Sequence, residues 1–201
     1  MRKDWDGAAR IIEPELSFID GIGLYEDTET TVWRSFSSYV QRVLFNRLIW
    51  DGKRDVKLVP EAYINAHHLL SAAYDELGRK EEAMMHAERL LELCPLSLRG
   101  HLQVARFLEK EGDLDGAIHQ MTSLLECAYD AEHAGIAYYR LAFLNWQKQD
   151  LECAEACYRK CLGFASSAHP LAAFELMSML ATEEKPGVSH CLVYEVSTPC
   201  T

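Results

Sequence analysis

Apolar residues recur every three or four positions over most of the chain, which is the spacing of an amphipathic helix. From residue 60 onward, short polar stretches with glycine, proline or aspartate interrupt this spacing at regular intervals. The pattern predicts three antiparallel helix pairs and one final helix, over residues 60–77 with 80–93, 98–111 with 114–127, 133–148 with 151–164, and 170–182. The remaining residues, 183–201, are expected to form a tail.

The N-terminal part of the chain has a less regular pattern. Residues 1–28 contain Pro14 and the step Gly21-Ile22-Gly23, so we predict an irregular arm there. Residues 29–52 predict a single N-terminal helix, because the aromatic and aliphatic residues in this segment follow the helical period.

The turns between the predicted helices repeat. The segment around Gly78 and Ala83 returns 34 residues later as Gly112 and Ala117, and a third copy places Ala154 another 37 residues along the chain. Glycine in these turns fits a left-handed backbone position that closes a helix. A period of about 34 residues with this content is typical of a stacked array of helix pairs. Six small residues are expected to let the helices approach closely: Ser71, Ala83, Ala105, Ala117, Ala142 and Ala154.

The three copies resemble the tetratricopeptide repeat family. The matching residues are Leu70, Ser71, Tyr74, Gly78, Ala83 and Pro95 in the first copy, Val104, Ala105, Leu108, Gly112 and Ala117 in the second, and Leu141, Ala142, Asn145, Gln149 and Ala154 in the third. The resemblance implies an all-α fold, a right-handed α-solenoid of about three helix pairs. The solenoid would cover residues 60–182, with helix 29–52 and helix 170–182 covering its two ends.

The resemblance also implies a concave groove lined by the first helix of each pair. The usual groove positions of the family are held here by Asn65, His68, Arg99, Leu102, Arg106, Ile136, Tyr139, Phe143 and Trp146. The groove would be polar at one end and aromatic at the other. Because only Arg106 could hold a carboxylate in the way that some family members do, we expect an apolar or aromatic peptide with one acidic group, and no clamp for chaperone tails.

These features predict a non-catalytic adaptor or scaffold that binds a protein or peptide partner. One alternative is that residues 1–28 fill the aromatic end of the groove themselves, through Ile11, Ile12, Leu16, Phe18 and Ile19. Another is a homodimer formed through the aromatic face of residues 29–50 or of the last repeat. A third, a metal- or redox-responsive sensor, depends on the four-residue spacing of Cys153, Cys157 and Cys161.

Composition narrows the classes of partner. The chain of 201 residues has a net charge of −11, with +4 in residues 31–60 against −5 in residues 1–30 and −10 in residues 61–201. This acidic balance argues against non-specific binding to nucleic acid. No apolar run reaches the length of a membrane span, and seven cysteines, an odd number that lies mostly within predicted helices, favour reduced thiols in the cytoplasm. Without a phosphate-binding loop or a nucleophile motif, we expect no enzyme activity and no cofactor.

Overall fold

The computed structural model describes residues 4–182. Within this range the chain forms α1 (Trp5–Gly21), β1 (Thr31–Arg34), α2 (Tyr39–Leu48), β2 (Asp55–Leu58), α3 (Glu61–Glu76), α4 (Lys80–Leu93), α5 (Leu98–Lys110), α6 (Leu114–Glu126), α7 (Ala131–Gln147), α8 (Leu151–Cys161) and α9 (His169–Thr182). The predicted all-α solenoid class is confirmed, and each predicted repeat helix agrees with an observed one to within a few residues. The predicted tail lies outside the described residues. No helix among residues 4–182 combines the length and hydropathy that crossing a bilayer requires.

The chain forms two compact units, an N-terminal unit that ends at Phe107 and a C-terminal unit that begins at Leu108. In the N-terminal unit, α3 packs against α1 and α4. In the C-terminal unit, α7 packs against α6 and α8, and α9 packs against α8 and α7. Each unit therefore has its own core of interlocking helices.

The turns of the repeats have the predicted chemistry. Gly78 and Gly112 have φ angles of 75° and 82°, in the left-handed region that favours glycine. The third turn has Gln149 at a φ of 67° in the equivalent place. Asp113 and Asp150 cap the helices that follow, because each carboxylate accepts a hydrogen bond from a backbone N–H of the first turn, at 2.8 and 3.1 Å.

The predicted small residues lie at the centres of helix contacts. All six are 0% exposed: Ser71, Ala83 and Ala105 in the N-terminal unit, and Ala117, Ala142 and Ala154 in the C-terminal unit. The Ser71 hydroxyl donates a 2.8 Å hydrogen bond to the Ala83 carbonyl, which ties α3 to α4 at the point of contact. A larger side chain at any of these positions would push two helices apart.

The prediction of an irregular arm over residues 1–28 is wrong, because most of the segment forms α1. Asp4 caps this helix by accepting a 2.9 Å hydrogen bond from its first turn. Pro14 lies inside the helix and lacks one backbone donor, which weakens a helix that stands alone. Here Ala9 and Leu16 are buried and α1 packs against α3, so tertiary burial outweighs the cost of the proline.

The prediction of a single helix over residues 29–52 is also wrong. The segment splits into β1 and α2, and α2 begins after Ser38, whose hydroxyl accepts a 3.2 Å hydrogen bond from the backbone of Gln41. β1 pairs in parallel with β2, with Val32 opposite Val56. Val32 is buried in this arrangement. Strand pairing with a distant segment therefore overrides a local apolar spacing that also fits a helix.

The final helix, α9, has an apolar outer face. It buries Ala172, Leu176 and Met179 on its inner side. The opposite side exposes four large apolar residues that recur at helical spacing: Leu171, Phe174, Met177 and Leu180. A helix that only covered the end of an array would be polar on this side.

A buried pair of histidines joins α3 to α4. The Nδ1 atoms of His67 and His86 are 2.9 Å apart, so one carries the hydrogen and the other accepts it. His67 is 2% exposed, and its Nε2 lies 3.9 Å from the carboxylate of Asp20, which also accepts a hydrogen bond from Tyr63. Burial lowers the pKa of His67 to about 4 against the opposing charge of Asp20, and burial also lowers the pKa of His86.

We expect replacement of Ala154 by leucine to destabilise the C-terminal unit by about 1–3 kcal/mol, because the added carbons have no space between the helices. Urea denaturation of the full chain measures this difference. Ala131→Leu, at an exposed position of α7, is the matched control and should change the stability little. Equal stability of the two variants would contradict the close contact at Ala154.

We expect the fold to lose stability as the pH falls from about 6.5 toward about 4. The unfolded chain binds a proton at His67 with a pKa near 6.5, whereas the folded chain excludes that proton until the pH approaches about 4. The contribution of neutral His67 is thus fully present above pH 6.5 and is lost progressively below it. Urea denaturation between pH 7 and pH 5 measures how the free energy of unfolding changes with pH. This interval lies above the pH range in which ordinary carboxylates titrate.

The test variant carries His67→Gln together with His86→Gln, and the control carries the single change His119→Gln. The double variant should have a flatter dependence of unfolding free energy on pH, because both buried imidazoles are gone. His119 is exposed, so the His119→Gln variant should have the same pH dependence of unfolding free energy as the wild type. A double variant that keeps the full slope would assign the pH dependence to other groups.

Candidate functional site

The aromatic residues of the predicted groove share one face of α7 in the C-terminal unit. Ile136, Tyr139, Phe143 and Trp146 are three or four residues apart on this helix, and each is half-buried. The helix begins at a firm cap, where Asp130 accepts a 2.8 Å hydrogen bond from the first turn. The sequence-based grouping of these four residues agrees with their place on the helix.

A carboxylate from α9 fixes part of this face. The hydroxyl of Tyr139 donates to Glu175 at 2.9 Å, and the hydroxyl of Tyr158 on α8 donates to the other oxygen of the same carboxylate at 2.6 Å. Burial, followed by this hydrogen bond, raises the pKa of Tyr139 to about 12 and also raises that of Tyr158. Trp146 contacts the Tyr158 ring edge-on, at 6.4 Å between ring centroids. The aromatic face is thus held in one arrangement by Glu175.

Sequence reasoning did not find Glu175. It is the single acidic residue of α9, whose sequence is mostly apolar, and that isolation was the available signal. Its two partners lie on two different helices, which no local spacing could have shown.

A second polar contact lies beside the aromatic face. Arg140 forms a 2.5 Å ion pair with Glu109, and its guanidinium lies 5.2 Å from the centre of the Phe143 ring. Gln147 donates to the other oxygen of Glu109 at 2.6 Å. The positive charge next to Phe143 is therefore paired and oriented, and it was not among the predicted site residues.

The polar residues of the predicted groove lie on α3 and α5 in the N-terminal unit. Arg106 was the expected partner for an acidic group, but it forms a 2.5 Å ion pair with Asp75 of α3. Arg99 lies close enough to His68 for its charge to reinforce the lowering of the pKa of His68 that burial causes first. Leu102, between these two arginines on α5, is half-buried. A face with a neutral histidine and a paired arginine is a poor carboxylate clamp.

Asn65, the last of the predicted residues, is exposed and lines a cavity of about 500 Å³ within the N-terminal unit. The cavity is formed by α3 together with the loop before α2, the end of β2 and the loop after α4. Its apolar lining includes Phe36, Leu58, Val59 and Ile64. The sequence did not reveal this cavity, because residues 29–52 were predicted as one helix and the strand β2 was not predicted.

The predicted alternative in which residues 1–28 fill the aromatic end is wrong for Ile11 and Phe18. Ile11 and Phe18 are exposed on α1, at 75% and 67%. The buried residues of α1, Ala9 and Leu16, belong to a helix that packs against α3 in the N-terminal unit. The amphipathic period of α1 accounts for this division, since Leu16 and Phe18 point to different sides of the helix.

The cysteine stripe of α8 faces the core. Cys157 and Cys161 are free and buried, and burial raises the pKa of the Cys157 thiol to about 12. Cys153 is disulfide-bonded, so the prediction of reduced thiols is wrong at this position. Among residues 4–182, no group of three or more histidine, cysteine or acidic side chains is arranged to hold a metal ion. The free thiols of the stripe are protonated at neutral pH, which makes them poor metal ligands.

Two solved structures align with most of the chain. One is "MamA RS-1 ArsTM double mutant", with 15% sequence identity and a TM-score of 0.49, covering 88% of this chain and 85% of that one. The other is BtubC (BKLC) from P. vanneervenii, with 15% identity and a TM-score of 0.48, covering 96% and 94%. No curated protein matches the chain in sequence.

The profile of the tetratricopeptide repeat family matches residues 64–95 and 136–167. The first match covers most of α3 and all of α4, and the second covers most of α7, all of α8 and the turn that follows. The match to the third repeat shows that Gln149 and Asn145 are tolerated where the sequence pattern expected glycine and an aromatic residue. Residues 64–95 and 136–167 are therefore tetratricopeptide repeats.

Proposed function

We propose that the chain is a non-catalytic adaptor or scaffold that binds an apolar or aromatic segment of a partner protein on the face of α7 that was predicted to line the aromatic end of a concave groove. The observation that carries the proposal is the cluster of Ile136, Phe143 and Trp146, which are large, half-buried and adjacent on one helix. Aromatic anchors of this kind supply most of the affinity in protein interfaces. The tetratricopeptide repeats themselves imply a role in protein–protein interaction.

The fixed geometry of this face favours binding. Glu175 holds Tyr139 in place, and Glu109 holds Arg140 against Phe143. Side chains that are already ordered lose little conformational entropy when a partner arrives. The Arg140–Glu109 ion pair lies next to the Phe143 ring. A charged residue of a partner can therefore replace either Arg140 or Glu109 in that pair.

The polar residues on α3 and α5 are proposed as a second contact surface. Asn65 and Arg99 present donors and Leu102 presents a half-buried apolar side chain. The ring nitrogens of His68 are buried, and Arg106 is already paired with Asp75. Such a surface suits polar side chains of a partner more than a free C-terminal carboxylate. We propose a cytoplasmic site of action and no cofactor. The four free thiols, Cys94, Cys127, Cys157 and Cys161, favour a reducing compartment, whereas the disulfide at Cys153 is evidence against one.

We expect the face of α7 to select apolar peptides. Selection of a random phage-displayed peptide library on the full chain should enrich aromatic and aliphatic residues. Phe143→Ala and Trp146→Ala should each weaken the Kd of the enriched peptides about tenfold or more, because each removes an anchor. Fluorescence anisotropy with labelled peptides measures the Kd.

Phe174→Ala is the matched control, since it removes an exposed aromatic ring from α9 without touching α7. It should leave the Kd unchanged. Circular dichroism confirms that each variant is folded before binding is compared. Enrichment of purely polar peptides, or equal Kd values for the wild type and both α7 variants, would rule out this face as the site.

A second candidate is self-association through α9. Its outer face exposes Phe174 at 70% and Met177 at 72%, together with Leu171 and Leu180. The one acidic residue of the helix, Glu175, is engaged with Tyr139 and Tyr158, so the exposed face carries no charge. Two copies related by a twofold axis could bury this face without burying an unpaired charge.

We expect Phe174→Glu with Met177→Glu to abolish self-association through α9, because two copies would then place like charges in contact. Sedimentation velocity over a wide range of concentrations measures the oligomeric state of the full chain. Met85→Glu, at an exposed apolar position on α4, is the matched control and should behave as the wild type. A wild type that stays monomeric at every concentration excludes this candidate.

A further inference from the structure

The two-stranded sheet of the N-terminal unit has one edge that is closed by hydrogen bonds. Every second backbone N–H of β1 points away from β2, and each of these groups has an acceptor. Thr31 donates to the hydroxyl of Thr28 at 3.1 Å, Trp33 to the carboxylate of Asp27 at 2.9 Å, and Ser35 to the carbonyl of Leu93 at 2.7 Å. This edge has no room for another strand.

The other edge of the sheet, formed by β2, is open. Asp55 and Val59 donate to β1, to the carbonyls of Thr30 and Arg34 at 2.8 and 3.0 Å. By the alternation of a parallel ladder, the N–H and C=O groups of Val56 and Leu58 point away from β1. Within residues 4–182 these groups have no hydrogen-bond partner, and Leu58 is 56% exposed. A two-stranded sheet with a bare edge is a template for a third strand.

The charge around this edge is positive. Residues 31–60 carry a net charge of +4 in a chain that is otherwise acidic. Arg34 and Arg54 are paired with Asp27 and Asp51. Two exposed cations belong to β2 or to the turn before it, Lys57 and Lys53, and neither has a carboxylate within ion-pair distance among the described residues. The ammonium group of Lys57 lies 5.6 Å from the centre of the Trp33 ring, and the one carboxylate of the strand, Asp55, is at its start. An acidic strand would therefore be attracted to this edge and a basic one repelled.

The cavity beside Asn65 reaches the end of the same edge. Leu58 and Val59 form part of its wall, together with Phe36 and Ile64. A strand added along β2 would pass this cavity, and one of its apolar side chains could enter. Backbone pairing would supply the affinity, while the cavity and the positive charge would supply the selectivity.

We propose that the outer edge of β2 binds an extended segment of a partner protein in which acidic and apolar residues alternate, as a third strand of the sheet. The segment pairs with the backbone of Val56 and Leu58, and its acidic side chains lie near Lys57. This surface belongs to the N-terminal unit and does not depend on the face of α7. Its occupant is recognised as a strand, whereas the repeats present helix surfaces.

The test uses the full chain and a synthetic seven-residue peptide of alternating valine and glutamate with blocked ends. Amide hydrogen exchange followed by nuclear magnetic resonance should slow at Val56 and Leu58 when the peptide is added. Asp55 and Val59, whose amides are already bonded to β1, should change little and serve as internal controls. A peptide of alternating valine and lysine should cause no protection.

Leu58→Pro removes the outward N–H without removing a bond to β1, and an edge position tolerates proline. It should weaken binding of the valine–glutamate peptide about fivefold or more, the effect of one lost hydrogen bond. Leu58→Ala keeps the N–H and should bind more tightly than Leu58→Pro. Lys57→Glu offers an independent variant that should also lose affinity, through charge alone.

Three results would overturn the proposal. The first is equal binding of the glutamate and lysine peptides, and the second is unchanged affinity in both Leu58→Pro and Lys57→Glu. The third is slow exchange at Val56 and Leu58 in the free chain, because the edge would then be covered by another segment of this protein or by a second copy. None of these results bears on the α7 face, so the proposed function can be judged separately.

Discussion

Close approach of helices at small side chains is the constraint on which each unit depends. In the N-terminal unit, Ser71 and Ala83 let α3 and α4 meet, and the hydroxyl of Ser71 uses that proximity to bond a carbonyl. In the C-terminal unit, Ala142 and Ala154 do the same for α7 and α8. Larger residues around these points then interlock, which orients the faces that remain outside.

Features encoded by neighbouring residues could be predicted from the sequence. The turns at Gly78 and Gly112 and the caps at Asp113 and Asp150 each depend on a few adjacent positions, so the repeat helices were placed well. The grouping of Ile136, Tyr139, Phe143 and Trp146 on one face likewise needs only the helical period.

Features that depend on distant partners could not be predicted. The residues of β1 have an apolar spacing that also suits a helix, and only pairing with β2 decides between the two. Pro14 argues against α1 locally, yet packing against α3 stabilises the helix. The same limit applies to the aromatic face of α7. There Glu175 of α9 accepts hydrogen bonds from Tyr139 of α7 and Tyr158 of α8, so three helices contribute to one contact.

The sealed edge of β1 has a consequence for how this protein can associate. A sheet with two open edges can recruit copy after copy and grow into a fibre. Here the bidentate contact of Asp27 with Arg34, at 2.8 and 2.7 Å, holds the carboxylate against the backbone of Trp33 and blocks one side. Two copies of this chain that paired through their β2 edges would expose only blocked β1 edges, so the contact of Asp27 with Trp33 prevents open-ended growth of copies through this sheet.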